Sequence, residues 1–182
     1  MKRPRETFAV LSLSAAIYLT SALAIAQDAS TLDQFLQQYR CPVVDRLQRI
    51  YATGDPKKYP DEYLIVDMPP QRENYVQCLF YRTDKIMCEA ASGFYLNAPE
   101  EPRTMYLPPS AIAALARLGF STDDSKGNFR IDFDLANPPD FNAVATLMLR
   151  ALHDAYGARA QTKLDFHAPY AERVGSKCTP VS

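Results

Sequence analysis

The sequence predicts one α+β domain of two layers, a mainly antiparallel sheet with helices packed on it, in the order α-β-β-β-α-β-α-β behind a signal peptide. Three observations predict it. Asn128 to Leu135 alternates apolar and polar residues without a fault, the period of a half-buried strand. Phe141, Val144, Ala145, Met148, Leu152, Ala155 and Tyr156 recur at helical spacing and mark one apolar stripe. Two apolar runs, Tyr75 to Tyr81 and Lys85 to Ala91, flank Arg82-Thr83-Asp84, a loop of hairpin length. The 182 residues, 47% hydrophobic and 23% charged, suffice for one globular core and exclude collagenous, coiled-coil and wholly disordered chains. A formal net charge of −1 without a basic patch argues against nucleic acid as a partner.

The chain opens with Lys2, Arg3 and Arg5 before an uncharged run from Thr7 to Ala26, and Ala24-Ile25-Ala26 sets small residues at the −3 and −1 positions before Gln27. This reads as a secretory signal peptide over residues 1–26, with a single exported domain over 27–182 and a core from about 31 to 168. The alternative is an uncleaved membrane anchor, since a span needs about 20 apolar residues. Ser12, Ser14, Thr20 and Ser21 dilute the run, and its small-residue ending favours cleavage. The expected location is periplasmic or secreted, with no membrane attachment after cleavage.

The elements follow in order. Ser30 or Thr31 caps a first helix carrying Leu32, Phe35, Leu36 and Tyr39, and Pro42 suits the first turn of a continuing segment with Val43, Val44, Leu47, Ile50 and Tyr51. Gly54-Asp55-Pro56 ends it. Tyr63 to Met68 is an apolar strand stopped by Pro69-Pro70, and the hairpin comes next. Its second strand bends at Gly93 and continues through Phe94-Tyr95-Leu96, and Asn97 to Arg103 is a loop. Ser110 caps a short helix with Ile112, Leu115 and Leu118, closed by Gly119, with Phe120 folded back on it. A turn over Asp123 to Gly127 enters the alternating strand, whose Arg130, Asp132 and Asp134 lie on the wet face. Asp140 caps the long helix and Gly157 closes it, and Thr162 to His167 forms a last strand with Leu164 and Phe166 inward. The tail from Pro169 is loose except for its cysteine.

All four cysteines, Cys41, Cys78, Cys88 and Cys178, follow the cleavage point, and an even count in an oxidising compartment points to two disulfides. Three connectivities are open. A three-residue hairpin loop sets Cys78 opposite Cys88, where a non-hydrogen-bonded pair brings the Cα atoms to about 4.5 Å, the short end of disulfide geometry. Cys41–Cys178 would then tie the first helix to the tail, worth about 4 kcal/mol by the chain-entropy account. The rival connectivity joins Cys41 to either strand cysteine. Metal-binding or reactive thiols would be a sharper function, but the chain has no Cys-x-x-Cys and only two histidines.

Candidate chemistry is sparse. Placing Gly127 at the sixth position of a calcium loop puts Thr122 first and Lys126 fifth, which fails the ligand pattern, so the Asp123 to Asn128 stretch reads as a solvated turn. His153 falls on the polar flank of the long helix and His167 on the outward side of the last strand, both surface positions by pattern. Asp132 and Asp134 share a strand face, but acid–base work would require one of them desolvated. No nucleophile elbow, zinc-protease motif or phosphate-binding glycine loop occurs, and no cofactor, metal or catalytic residue is expected. Tyr63, Tyr75, Tyr81 and Tyr95 lie in or beside strands, where tyrosine serves a pleated surface or a binding one.

Leu115-Ala116-Arg117-Leu118-Gly119-Phe120, the Gly127-Asn128-Phe129 entry into a strand and the long helix after it resemble the YbjN-like, or TY-Chap, group, whose fold is similar to that of type III secretion chaperones. The resemblance runs from Thr31 to Ala168 in element order and from Leu115 to Leu152 in motif. It implies a compact α+β domain that binds other polypeptides, often as a homodimer, with no catalytic residues to carry over. The export signal and the four cysteines depart from that pattern. Three functions stay open: an exported binding or adaptor protein holding a protein or extended peptide on a sheet face, a small-ligand sensing domain of the envelope, or a hydrolase or hydrolase inhibitor. The ligand reading requires an apolar cavity between the long helix and the sheet, and the enzyme reading requires the histidines or a desolvated carboxylate to meet in one cleft.

Overall fold

Residues 14–53, 62–82, 84–95, 107–169, 171 and 178 are described by a computed structural model, with the backbone alone for 14–30, 53, 71, 72 and 82. Helix α1 spans Ser14–Thr53, and β1 (Tyr63–Met68), β2 (Gln71–Arg82) and β3 (Lys85–Ala90) follow as a meander. Helix α2 (Pro109–Arg117), β4 (Phe129–Asp134), α3 (Phe141–Tyr156) and β5 (Asp165–His167) complete the order that the sequence predicts. The five strands form one antiparallel sheet, arranged β4-β3-β2-β1-β5.

Strand alternation divides this sheet into a covered face and an open one. Leu64 and Val66, Val76, Cys78 and Phe80, Ile86, Cys88 and Ala90, and Phe129 point to the helices and are buried. Phe35, Leu36, Tyr39, Val43, Leu47 and Ile50 of α1 meet them, as do Val144, Met148, Leu149 and Leu152 of α3. Helix α3 lies against β2, with α1 and α2 packed on α3. Each large apolar side chain so buried contributes roughly 1.5–3 kcal/mol, so this shared core decides the two-layer arrangement. At the ends of α3, Asp140 accepts a hydrogen bond from the Ala143 amide at 3.0 Å and Gly157 takes φ 76°, as the capping residues of the sequence predict.

Several local expectations are corrected. No new helix starts at Ser30, Thr31 or Pro42, because α1 runs unbroken from Ser14 with Pro42 inside it. An internal proline costs about 3 kcal/mol, but the buried stripe Phe35-Tyr39-Val43-Leu47-Ile50 keeps its register across Pro42, and the burial outweighs that cost. Ser110 does not cap α2. Pro108 holds the N-cap position and Pro109 the first turn, where its missing N–H has no intrahelical role. Phe94 and Tyr95 lie in a turn and not in β3, since Gly93 at φ 85° redirects the chain and the Ser92 hydroxyl accepts from the Phe94 amide. Thr162 is likewise outside β5, held in a turn by the Arg159 amide, which donates to its hydroxyl at 2.8 Å. The Gly54-Asp55-Pro56 stop, Leu96, the Asn97–Arg103 loop and residues 1–13 of the signal segment lie outside the described residues.

The hairpin register is the predicted one. Val76 faces Ala90, Cys78 faces Cys88 and Phe80 faces Ile86, but a bulge at Tyr81 sets Arg82 opposite Lys85, so β2 reaches one residue further than expected. β2 also begins at Gln71 and not Tyr75, directly after the Pro69-Pro70 turn. The Ala91 amide donates to the Tyr75 carbonyl, which by alternation makes Cys78 and Cys88 a non-hydrogen-bonded pair. They form a disulfide with Cα atoms 4.1 Å apart, and Cys41 and Cys178 form the second at 5.8 Å.

Candidate functional site

The helical layer lies on one face of the sheet, which leaves the other as the candidate surface among the described residues. Tyr63, Ile65, Leu79 and Met87 form its half-buried centre. Toward β4 the face becomes polar. Arg130 grips Asp132 with two parallel hydrogen bonds, Nε to Oδ2 at 2.5 Å and Nη2 to Oδ1 at 2.6 Å. Gln77 donates to Glu89 at 2.5 Å across the β2–β3 ladder, and Lys85 donates to Asp134 at 2.6 Å across β3–β4. The hydrogen bonds from Arg130, then its charge, hold the Asp132 carboxyl below the usual aspartate range, with Tyr81 and Lys85 adding to the effect. The same contact raises Arg130, and the hydrogen bond that Lys85 donates to Asp134 raises Lys85.

Beside this cluster is a cleft of about 450 Å³, lined among others by Glu89, Tyr95, Ser121, Lys126, Asn128, Arg130 and Asp132. Asn128 builds its floor. Its side-chain amide donates to the Tyr75 hydroxyl at 2.6 Å, and its oxygen accepts from the Ser92 amide at 3.1 Å, which pins the end of β3 to the entry of β4. A side chain at Gly127 would press a Cβ to 3.3 Å from the Tyr95 hydroxyl, so the absence of one leaves room for that ring. Burial raises the Tyr75 phenol above its ordinary value and the Asn128 hydrogen bond partly offsets this. Tyr95 itself is 67% exposed at the rim.

Among the described residues, the outer edge of the sheet at β4 borders the same cleft. Ser121 and Arg130 exchange both backbone hydrogen bonds on the side of β4 away from β3. Strand alternation then turns the N–H and C=O groups of Asp132 and Asp134 outward as well, while Ile131 and Phe133 serve the ladder to β3. Among the described residues, β4 is the last strand on that side.

The four tyrosines divide accordingly. Tyr75 and Tyr95 line or support the cleft, Tyr81 is 39% exposed beside Asp132, and Tyr63 stands apart on β1 opposite Leu79. Glu89 and Ser121 were not singled out by sequence pattern, and Asn128 entered it only within the solvated turn and the Gly127-Asn128-Phe129 entry to the strand.

The histidines are not brought together. His153 is 3% exposed and not a surface residue, because α1 covers that flank of α3. Its Nδ1 lies 2.7 Å from Asp154 Oδ1, its Nε2 lies 3.5 Å from Thr31 Oγ1, and its ring packs near Phe35. His167 is exposed on the open face, with Nε2 3.0 Å from Asp67 Oδ2. Asp132 and Asp134 each meet their own cation, and Asp132 is pushed down, opposite to what a general acid requires. The space between α3 and the sheet is filled by Val76, Phe80, Met148, Leu149 and Leu152. Among the described residues, no His, Cys, Asp and Glu group could hold a metal ion, and no helix is long and apolar enough to cross a membrane.

Comparison with known proteins agrees with this architecture. No characterised protein and no solved structure matches the chain. The family described as T3SS (YopN, CesT) and YbjN peptide-binding chaperone 3, TY-Chap3, matches residues 42–169. That segment is well over half of the chain and holds the last 12 residues of α1, both other helices and the whole sheet. The chain therefore belongs to the TY-Chap3 family.

Proposed function

We propose that this protein is an exported, chaperone-like domain that binds an extended polypeptide segment as an added strand along β4. The observation that carries the reading is the outward backbone of Asp132 and Asp134, next to a cleft large enough for a side chain. Strand addition draws affinity from main-chain hydrogen bonds and specificity from pockets for alternate side chains. The cleft supplies such a pocket, with Tyr95 at its rim, and Arg130 supplies a donor fixed in place by Asp132. Tyr81 and the patch around Tyr63 extend the surface across the open face. Membership of a family of peptide-binding chaperones supports the same reading.

The proposal includes removal of residues 1–26 and a periplasmic or secreted location. Lys2, Arg3 and Arg5 with Ala24-Ile25-Ala26 support it, as do two disulfides, which persist in oxidising compartments.

The test uses a peptide binder selected by display on the oxidised protein and resynthesised with single N-methyl groups along its length. An added strand points alternate amides at β4, so methylation should weaken binding tenfold or more at every second residue and little between. Equal tolerance at all positions would exclude strand addition.

A further inference from the structure

We propose that a second site lies on the helical layer, where a groove between α1, α2 and α3 takes an acidic, aliphatic segment of a polypeptide partner. The proposal shares with the preceding one the premise that the chain binds polypeptides, but it concerns different residues on the opposite side of the domain. The groove is shallow and open to solvent, with a volume of about 520 Å³. Arg40 from α1, Arg117 from the last turn of α2 and Arg150 from α3 line it, over a floor that includes Leu118 and Leu147.

Three cations converge there in a chain whose net charge is −1. Among the described residues, Arg40 and Arg117 form no ion pair, and Arg150 reaches only Asp154, at 3.7 Å. The C-terminal dipole of α2 accounts for Arg117 but not for the other two. Such a field selects an anionic occupant.

The floor narrows the choice further. A bare anion would leave Leu118 and Leu147 wet, whereas a segment alternating carboxylates with aliphatic side chains satisfies the arginines and covers the leucines. From Ala143 to Arg150 the helix advances about 10 Å, the length of roughly three extended residues. Guanidinium groups also suit carboxylates because they bind them bidentately.

The experiment is fluorescence anisotropy of a labelled Glu-Leu repeat peptide against a Gln-Leu repeat, on the full oxidised protein. The Glu-Leu peptide should bind, the Gln-Leu peptide at least tenfold more weakly, and about 0.5 M salt should weaken the first selectively. The triple variant R40Q/R117Q/R150Q should lose roughly tenfold in affinity, about twofold for each exposed pair, with circular dichroism and melting unchanged. Tyr95→Ala, at the other site, should leave Glu-Leu binding intact. The proposal fails if the Glu-Leu peptide does not bind, if both peptides bind alike, or if the folded triple variant binds as the parent does. It fails as well if inorganic phosphate displaces the peptide completely, which would make the groove a simple anion site. Loss of Glu-Leu binding in Tyr95→Ala but not in the arginine variant would place the peptide at the β4 cleft and overturn the groove without touching the strand-addition reading.

Discussion

Ser121 and Arg130 are joined by two backbone hydrogen bonds, 2.7 and 3.3 Å long, on the outer side of β4. This single rung fixes which backbone groups of the strand face β3 and which face outward. The N–H and C=O groups of Asp132 and Asp134 are the next outward positions along the same edge.

The rung makes a contrast between neighbouring prolines. Asp132→Pro removes an outward N–H and one exposed ion pair, so thermal stability should fall only slightly. Ile131→Pro removes a bond to β3, opposite Cys88, and should cost about 3 kcal/mol or more. Chemical denaturation of both variants checks the phase of the strand, and a reversed order would refute it.

The disulfide between Cys41 and Cys178 closes a separation of 137 residues, with both ends just outside the family segment 42–169. Chain entropy gives it roughly 4–5 kcal/mol of stabilisation, against about 3 kcal/mol for the ten-residue separation of Cys78–Cys88. Cys41→Ala/Cys178→Ala should therefore lower unfolding free energy by several kcal/mol without reductant. An unchanged denaturation midpoint would show that the clip contributes nothing.

How far the sequence reached depended on whether a feature was local. Strand and helix periods gave the order of elements, the hairpin loop gave the Cys78–Cys88 register, and Asp140 and Gly157 bounded α3, because each depends on neighbours in the chain. α1 escaped a local reading, since the cost of Pro42 is local while the burial that outweighs it comes from α3 and the sheet. His153 was misplaced for the same reason, as the flank it occupies is wet until α1 covers it. At the candidate site Tyr75 and Tyr81 were legible as strand tyrosines, whereas Tyr95 lies in a turn beyond the end of β3. Their common surroundings were not legible, because Asn128 meets Tyr75 from 53 positions away and Ser121 meets β4 through a loop.

Alkaline titration should single out Tyr75. Burial raises its folded-state pKa above the ordinary 10.0, so its contribution to stability is complete below about pH 10 and is lost as pH rises through the folded value. Compared with Tyr75→Phe, the parent should lose stability in that window. Asn128→Ala removes a hydrogen bond that lowers the phenol, and should move its ionisation still higher in a difference-absorbance titration. Ionisation of Tyr75 at or below its ordinary value would contradict the buried environment. Asp132 behaves in the opposite sense: its pKa is lowered, so its contribution is present above the ordinary aspartate range and is lost as pH falls through the folded value.

Export makes a covalent prediction. N-terminal sequencing of protein recovered outside the cytoplasm should begin at Gln27, and an intact Met1 in the membrane fraction would replace the cleaved signal with an anchor.

The most direct test of strand addition is amide hydrogen exchange at β4, read residue by residue by NMR with and without a selected peptide. In the free protein the outward amides of Asp132 and Asp134 should exchange much faster than those of Ile131 and Phe133. Peptide at saturation should slow Asp132 and Asp134 by tenfold or more while the inward pair changes little. If both outward amides stay fast in the saturated complex, the peptide does not extend this sheet.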